Sequence, residues 1–336
     1  MKDLTSVIVA IVAFLVTLVS GYFVIPYLRK LKFGQTILEI GPNWHKDKQG
    51  TPTMGGVMIV AGFVVAVVIG IVYALLFGTN LSFDLKDSYK LTVMVAGVLM
   101  ALCMSAIGFM DDYVKVVKKR NLGLTARQKT FLQLLVSAAY LSTLGLAGMK
   151  TTTIPFIGDI NITSGFGLLF WPIALVFIYG FTNAVNLTDG IDGLASSVTL
   201  VVACAFMLAS GFLNIATNNV LSSALAGACV GFVCWNSYPA RVFMGDTGSM
   251  FLGGMVVALS FGIGRPILLI FAGIIYLLEA LSDIIQVAYY KKTKKRIFKM
   301  APIHHHFEKC GWGEIKLMWT FGIVELLFCV IAWLCL

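Results

Sequence analysis

Apolar residues along this 336-residue chain come in long unbroken runs separated by short polar connections. Ten runs stand out, at 4–26, 55–77, 91–110, 130–148, 167–182, 194–213, 219–235, 248–262, 267–289 and 317–335. A helix needs about 20 mostly apolar residues to cross the hydrocarbon core of a bilayer. The predicted fold class is therefore an all-α integral membrane protein, a bundle of about ten transmembrane helices. Glycine and proline interrupt several runs, which neighbouring helices tolerate in a membrane. Pro172 and a glycine-rich lead-in blur the start of the fifth. The first run is long and shows no small-residue cleavage site, so it reads as a retained helix rather than a signal peptide.

Composition agrees: 59% of residues are hydrophobic and 12% charged, about half the charge of an ordinary soluble domain. Seven cysteines fall mostly inside apolar runs, with no pair at metal or redox spacing, and read as small core residues. Charge sets the orientation. With the amino terminus outside, 20 of the 25 Lys and Arg residues lie in the inside loops. Such a bias marks the cytoplasmic side, and it favours an even number of spans with both termini outside. The chain reads as one polytopic domain, 1–336, whose catalytic connections at 27–54, 111–129, 183–193, 236–247 and 290–316 face the cytoplasm. The net charge of +9 is explained by topology and attraction to anionic membrane lipids. Nucleic acid is not an expected partner. The run KKTKKRIFK at 291–299 is the extreme of this pattern.

The acids cluster on the same face. Asp111 and Asp112 close the third run, where carboxylates at a helix C-terminus would oppose the macrodipole. Asp189 and Asp192 lie in NAVNLTDGIDGL, each followed by glycine. Asp246 lies in RVFMGDTGSM, where Thr247 and Ser249 are candidate caps for the next helix. Each acid has a plain structural reading as a helix-end group. Five together suggest a divalent cation site, and all-oxygen ligation favours Mg²⁺ or Mn²⁺ over zinc. With Lys48 on the same face, the set fits phosphoryl transfer between anionic partners. His304, His305 and His306 follow Pro302 and read as a loop hydrogen-bonding phosphate oxygens, with metal ligation and a structural role as alternatives. Glu279, Asp283 and Gln286 form one polar stripe on the ninth run, a wall facing the bundle interior. Glu325 in the tenth run has no assigned partner.

Six strings occur in order: GTPTMGG at 50–56, GFMDDYVKV at 108–116, NAVNLTDGIDGLA at 183–195, NSYPARVFMGDTGS at 236–249, LEALSDIIQV at 278–287 and PIHHHFE at 302–308. This ordered set resembles the polyprenyl-phosphate N-acetylhexosamine-1-phosphate transferase superfamily. GTPTMGG and PIHHHFE point to its branch acting on UDP-N-acetylmuramoyl-pentapeptide. The resemblance implies transfer of the phospho-sugar to undecaprenyl phosphate, giving lipid I and UMP in peptidoglycan synthesis. It also implies Mg²⁺, a ten-helix homodimer in the bacterial inner membrane and a cytoplasmic cleft. It makes Asp246 the Mg²⁺ ligand and Asp111 and Asp112 the catalytic pair. Asn186, Asp189, Asp192, Asn236 and Phe243 would contact the nucleoside and nearby groups. Lys48, Thr53 and His304 to His306 would line the substrate and diphosphate region, while Gln286 is expected at the site from the polar stripe alone, as its end nearest the cytoplasm. Two alternatives stay open: an N-acetylglucosamine-1-phosphate transferase using the same lipid, and a secondary transporter of an anionic metabolite, whose acids would lie nearer the membrane midplane.

Overall fold

The structure, a computed structural model, describes residues 4–31, 50–117 and 123–336. Lys48 and His45 lie outside the described residues. Twelve α-helices are present among those described: α1 (Thr5–Lys30), α2 (Gly56–Phe77), α3 (Asn80–Asp84), α4 (Ser88–Val117), α5 (Ala126–Ala147), α6 (Phe170–Thr188), α7 (Leu194–Phe212), α8 (Ala216–Asn236), α9 (Gly245–Gly262), α10 (Ile274–Thr293), α11 (Ile303–Glu308) and α12 (Glu314–Leu334). Eight of them are long and apolar enough to cross a membrane: α1, α2, α4, α5, α6 with its lead-in, α7, α8 and α12. The protein is an all-α integral membrane bundle. Two further helices reach eighteen residues, α9 and α10. They carry the polar residues Asp246, Glu279 and Asp283 that lower their apolarity.

Small residues mark the packed faces. In α1 the buried positions Thr5, Val9, Ala13, Thr17, Gly21 and Ile25 recur every fourth residue, while Phe23 on the outer side is 73% exposed. Lipid solvates both faces equally well, so close backbone approach, not apolarity, selects the inward one. At the centre stands α9, whose residues Thr247 to Phe261 are all buried. It packs along α4 and also touches α6, α2 and α7.

Three local features depart from the sequence reading. First, α4 does not end at its acids; it continues to Val117. Lys115 lies four residues after Asp111 and three after Asp112, and pairs with both, which removes the objection from the helix dipole. Second, the histidine run is the short helix α11 and not a loop. Third, 267–289 does not start as α-helix. Pro266–Ile270 is a 3₁₀ turn, and α10 begins at Ile274. There Glu325 has a structural partner: its Oε2 accepts the Ile275 N–H at 2.9 Å, capping α10 from α12. Between α5 and α6 the threonine-rich strand β1 (Thr151–Ile154) pairs antiparallel with β2 (Gly158–Asn161), Thr151 opposite Asn161.

Candidate active site

The C-terminal ends of α4 and α6 meet the N-terminal ends of α5 and α9 at one end of the bundle. Asp111 and Asp112 come from α4, Lys115 from its last turn, Lys129 from the start of α5, Asn186 from the end of α6 and Asp246 from the first turn of α9. A close approach makes this possible. A Cβ on Gly108 would lie 2.1 Å from the Asp246 carbonyl oxygen, so only glycine lets α4 and α9 touch there.

Asp246 is held from three directions. Its Oδ2 lies 2.8 Å from Lys129 Nζ and 3.2 Å from Lys115 Nζ. Its Oδ1 accepts the Asn186 amide at 3.0 Å, and that amide also reaches Ser249 Oγ at 2.7 Å. Lys115 is 2.6 Å from Asp111 Oδ2. The other Asp111 oxygen accepts the Leu124 N–H at 2.7 Å, tying down the approach to α5. Asp112 accepts the N–H groups of Asp246 and Thr247 and the Thr247 hydroxyl. Thr53 borders the same spot: a Cβ on Gly245 would meet Thr53 Oγ1 at 2.9 Å and Asp112 Oδ2 at 2.7 Å.

Backbone pairing brings the first motif to the fourth. The Phe243 N–H donates to the Pro52 carbonyl at 2.8 Å, its own carbonyl accepts from Gly55 at 2.9 Å, and Gly56 donates to Met244 at 2.9 Å. Phe243 is half-buried. Asp189 caps the C-terminus of α6. Burial pushes its carboxyl well above the usual carboxylate range. The charges of Asp246, Asp112 and Asp192 push the same way, against an N–H bond from Gly245.

Other residues singled out in the sequence make hydrogen bonds within the fold. Asp192 accepts the Ala240 N–H at 2.9 Å, and its own N–H donates to Glu314. Asn236 accepts the Gly193 N–H and donates to the Val242 carbonyl while buried. Together they tie the α6–α7 turn to the α8–α9 loop. Gln286 accepts the N–H groups of Ile297 and Phe298 and donates to the Phe298 carbonyl, fastening the basic run onto α10. His304 is buried, with Nδ1 2.9 Å from Glu279 Oε2. Its Nε2 has no hydrogen-bond partner among the described residues, and a Cβ on Gly190 would lie 2.2 Å from it. His305 pairs with Glu308, and His306 Nδ1 accepts the Lys299 N–H at 3.1 Å.

In the sequence, Lys115 and Lys129 bear only on topology. For Lys115 the signal was present in its helical spacing from both acids. For Lys129 there was none, because its partner is 117 residues away.

Oxygens of Asp111, Asp112 and Asp246 lie within 4.8 Å of one another. Opposite oxygens on an octahedral Mg²⁺ are roughly 4.2 Å apart, twice the bond length. One or two of these carboxylates therefore suit such an ion with little movement, which is its usual protein ligation. Hard oxygen donors and partners that can be exchanged, the two ammonium groups, also fit it.

The family model for glycosyl transferase family 4 matches residues 94–263, and a phospho-N-acetylmuramoyl-pentapeptide-transferase signature matches residues 48–60. A protein of that name from Clostridioides difficile (strain 630) is 44% identical over 330 residues, 97% of this chain and 95% of its own. One from Halalkalibacterium halodurans is 41% identical over 99% of this chain and 98% of its own. One from Clostridium acetobutylicum is 43% identical over 97% of each.

Proposed function

The chain belongs to the phospho-N-acetylmuramoyl-pentapeptide transferases of glycosyl transferase family 4, and from that premise we propose the reaction and the residues that carry it. The enzyme transfers phospho-N-acetylmuramoyl-pentapeptide from its UDP carrier to undecaprenyl phosphate, releasing UMP and forming lipid I for peptidoglycan synthesis. One observation carries this reading: three carboxylates and two ammonium groups from three helices converge at one end of a membrane bundle. Neither comparison supports the transporter alternative. The match at residues 48–60 favours the muramoyl substrate over N-acetylglucosamine.

The acceptor phosphate needs little activation. A phosphate monoester has a second pKa near ~6, so at neutral pH it is mostly dianionic and already nucleophilic. The obstacle is repulsion between two polyanions. Lys115 and Lys129 offset it by offering positive charge beside Asp246. Asp246 would hold Mg²⁺, with Asp111 the second candidate ligand. When bound, the ion supplies charge neutralisation for the diphosphate and the departing UMP. In this reading the lipid phosphate attacks the diphosphate directly, and Asp111 positions it or accepts its last proton. Asn186 holds Asp246 in register. Thr53 and Asp189 border the substrate, and Phe243 offers a half-buried ring for the nucleoside. Lys48 and the His304 to His306 helix belong to the proposed diphosphate wall. The four-to-one distribution of basic residues supports a cytoplasmic site in the bacterial inner membrane. A homodimer is part of the proposal through the family likeness.

The test is UMP release by purified protein in detergent. UDP-N-acetylmuramoyl-pentapeptide with undecaprenyl phosphate and Mg²⁺ should release UMP. UDP-N-acetylglucosamine should not, and EDTA should abolish release. Release with UDP-N-acetylglucosamine alone would overturn the assignment.

A further inference from the structure

Helix α9 begins without a cap of its own. Its N-cap residue Met244 is helical, at φ −63° and ψ −48°, and contributes no side-chain hydrogen bond. The first N–H groups of a helix have no partner within it and need one elsewhere. Here the partner comes from another helix. Asp112 Oδ1 accepts the Asp246 N–H at 3.2 Å; Oδ2 accepts the Thr247 N–H at 2.9 Å and the Thr247 hydroxyl at 2.8 Å. A negative charge in that place also complements the helix dipole. Asp112 is 3% exposed.

We propose that Asp112 is a positioning residue: it caps α9 from α4 and thereby fixes the Asp246 carboxylate, and it neither attacks phosphorus nor carries the proton. The contrast with its neighbours supports this. Among the described residues, the partners of both Asp246 oxygens and of Asp111 Oδ2 are side chains: Lys115, Lys129, Asn186 and the facing Asp111 or Asp246 carboxyl. Those partners can move aside for an ion or a phosphate. The partners of Asp112 include two backbone N–H groups, which cannot leave without unwinding the first turn of α9. The adjacent acids thus divide the work. Asp111 keeps an oxygen facing exchangeable partners, while Asp112 spends both on the helix that presents Asp246.

This inference rests on the assignment of Asp246 to Mg²⁺. Its test uses Mn²⁺ binding to the purified full-length protein, read by electron paramagnetic resonance, together with the Mg²⁺ dependence of UMP release. Asp112→Asn keeps one carbonyl acceptor but turns an NH₂ group toward the helix end. It should weaken Mn²⁺ binding by about 10- to 100-fold, the range for groups that orient a metal ligand. The Mg²⁺ requirement should rise in step, while turnover at saturating Mg²⁺ stays within about tenfold of the parent. Thr247→Val, which removes only the hydroxyl bond, should shift Mn²⁺ affinity in the same direction by less, and it decides the matter should Asp112→Asn not fold. Unchanged Mn²⁺ affinity in these variants, with turnover lost from Asp112→Asn at every Mg²⁺ concentration, would make Asp112 a chemical participant and overturn the inference alone. A parent protein that binds no Mn²⁺ would overturn the magnesium assignment and this inference together.

Discussion

Lys129 reaches across from the start of α5 to place its ammonium 2.8 Å from Asp246 Oδ2, the same oxygen that Lys115 approaches at 3.2 Å. Two monovalent cations thus share one carboxylate oxygen. A divalent ion arriving there competes with them, whereas an anionic substrate is attracted by them. Replacing Lys129 should therefore have opposite effects on the two. In Lys129→Met the half-saturating Mg²⁺ concentration should fall, and kcat/KM for the UDP-linked substrate should drop by about tenfold, the order of one partly screened charge contact. Mg²⁺ titrations at several substrate concentrations separate the effects.

The proposed roles rank Asp246 above either acid of α4. At raised pH the acceptor phosphate is fully dianionic and needs no base, so Asp111→Asn should regain activity as pH rises toward 9. Asp246→Asn should stay at least ~10³-fold down throughout, as expected for losing a principal electrostatic group. UMP release across the pH range measures both. Accumulation of a sugar-phosphate on Asp111 or Asp112 when lipid phosphate is withheld would refute direct attack.

Gly108→Ala tests the contact between α4 and α9. The added methyl carbon would fall 2.1 Å from the Asp246 carbonyl oxygen. Backbone cannot yield as a side-chain end does, so one helix must move. The expected cost is about 1–3 kcal/mol of stability, and Asp246 should be displaced from its lysines. Thermal unfolding should show the first effect, and loss of Mg²⁺-dependent turnover the second. By comparison, Gly180 has open space around it, and Gly180→Ala should leave both readouts near the parent.

Asp189 gives a pH signature. Its carboxyl is raised in the folded protein above its unfolded value, through burial first and neighbouring negative charge second. The stability linked to it is complete below the unfolded pKa and is lost as pH rises through the folded one. In EDTA, the melting temperature should therefore fall with rising pH across that window. Asp189→Asn should flatten the fall. Added Mg²⁺ should shrink the difference by neutralising the Asp246 charge. Parallel slopes for parent and variant in EDTA would contradict the burial argument.

Much of the architecture was legible because lipid demands long apolar helices, and each of the ten predicted runs overlaps a helix of eighteen residues or more. Helix faces were not legible. Phe23 and Val9 are equally acceptable to a membrane, yet one is exposed and the other fully buried. Side-chain size and glycine placement decide such cases, and these become informative only once a neighbour is known. Asp111, Asp112 and Asp246 could be grouped by residue type, but their separate duties depend on which N–H groups lie opposite each oxygen. Asn236 and Gln286 show the same limit from the other side. Both sit in motif strings, and both spend their amides on backbone. The β1–β2 hairpin escaped notice because two four-residue strands leave almost no period against an apolar background.

The burial of α9 has a consequence for life in a changing membrane. From Thr247 to Phe261 this helix is walled in by protein, so little of the element that bears Asp246 is open to acyl chains. Thinning, stiffening or reshuffling of the bilayer, as when a cell grows warm or cold, falls on the outer ring of helices. The helix that presents Asp246 is thereby insulated from the fluidity of the solvent in which the protein is dissolved.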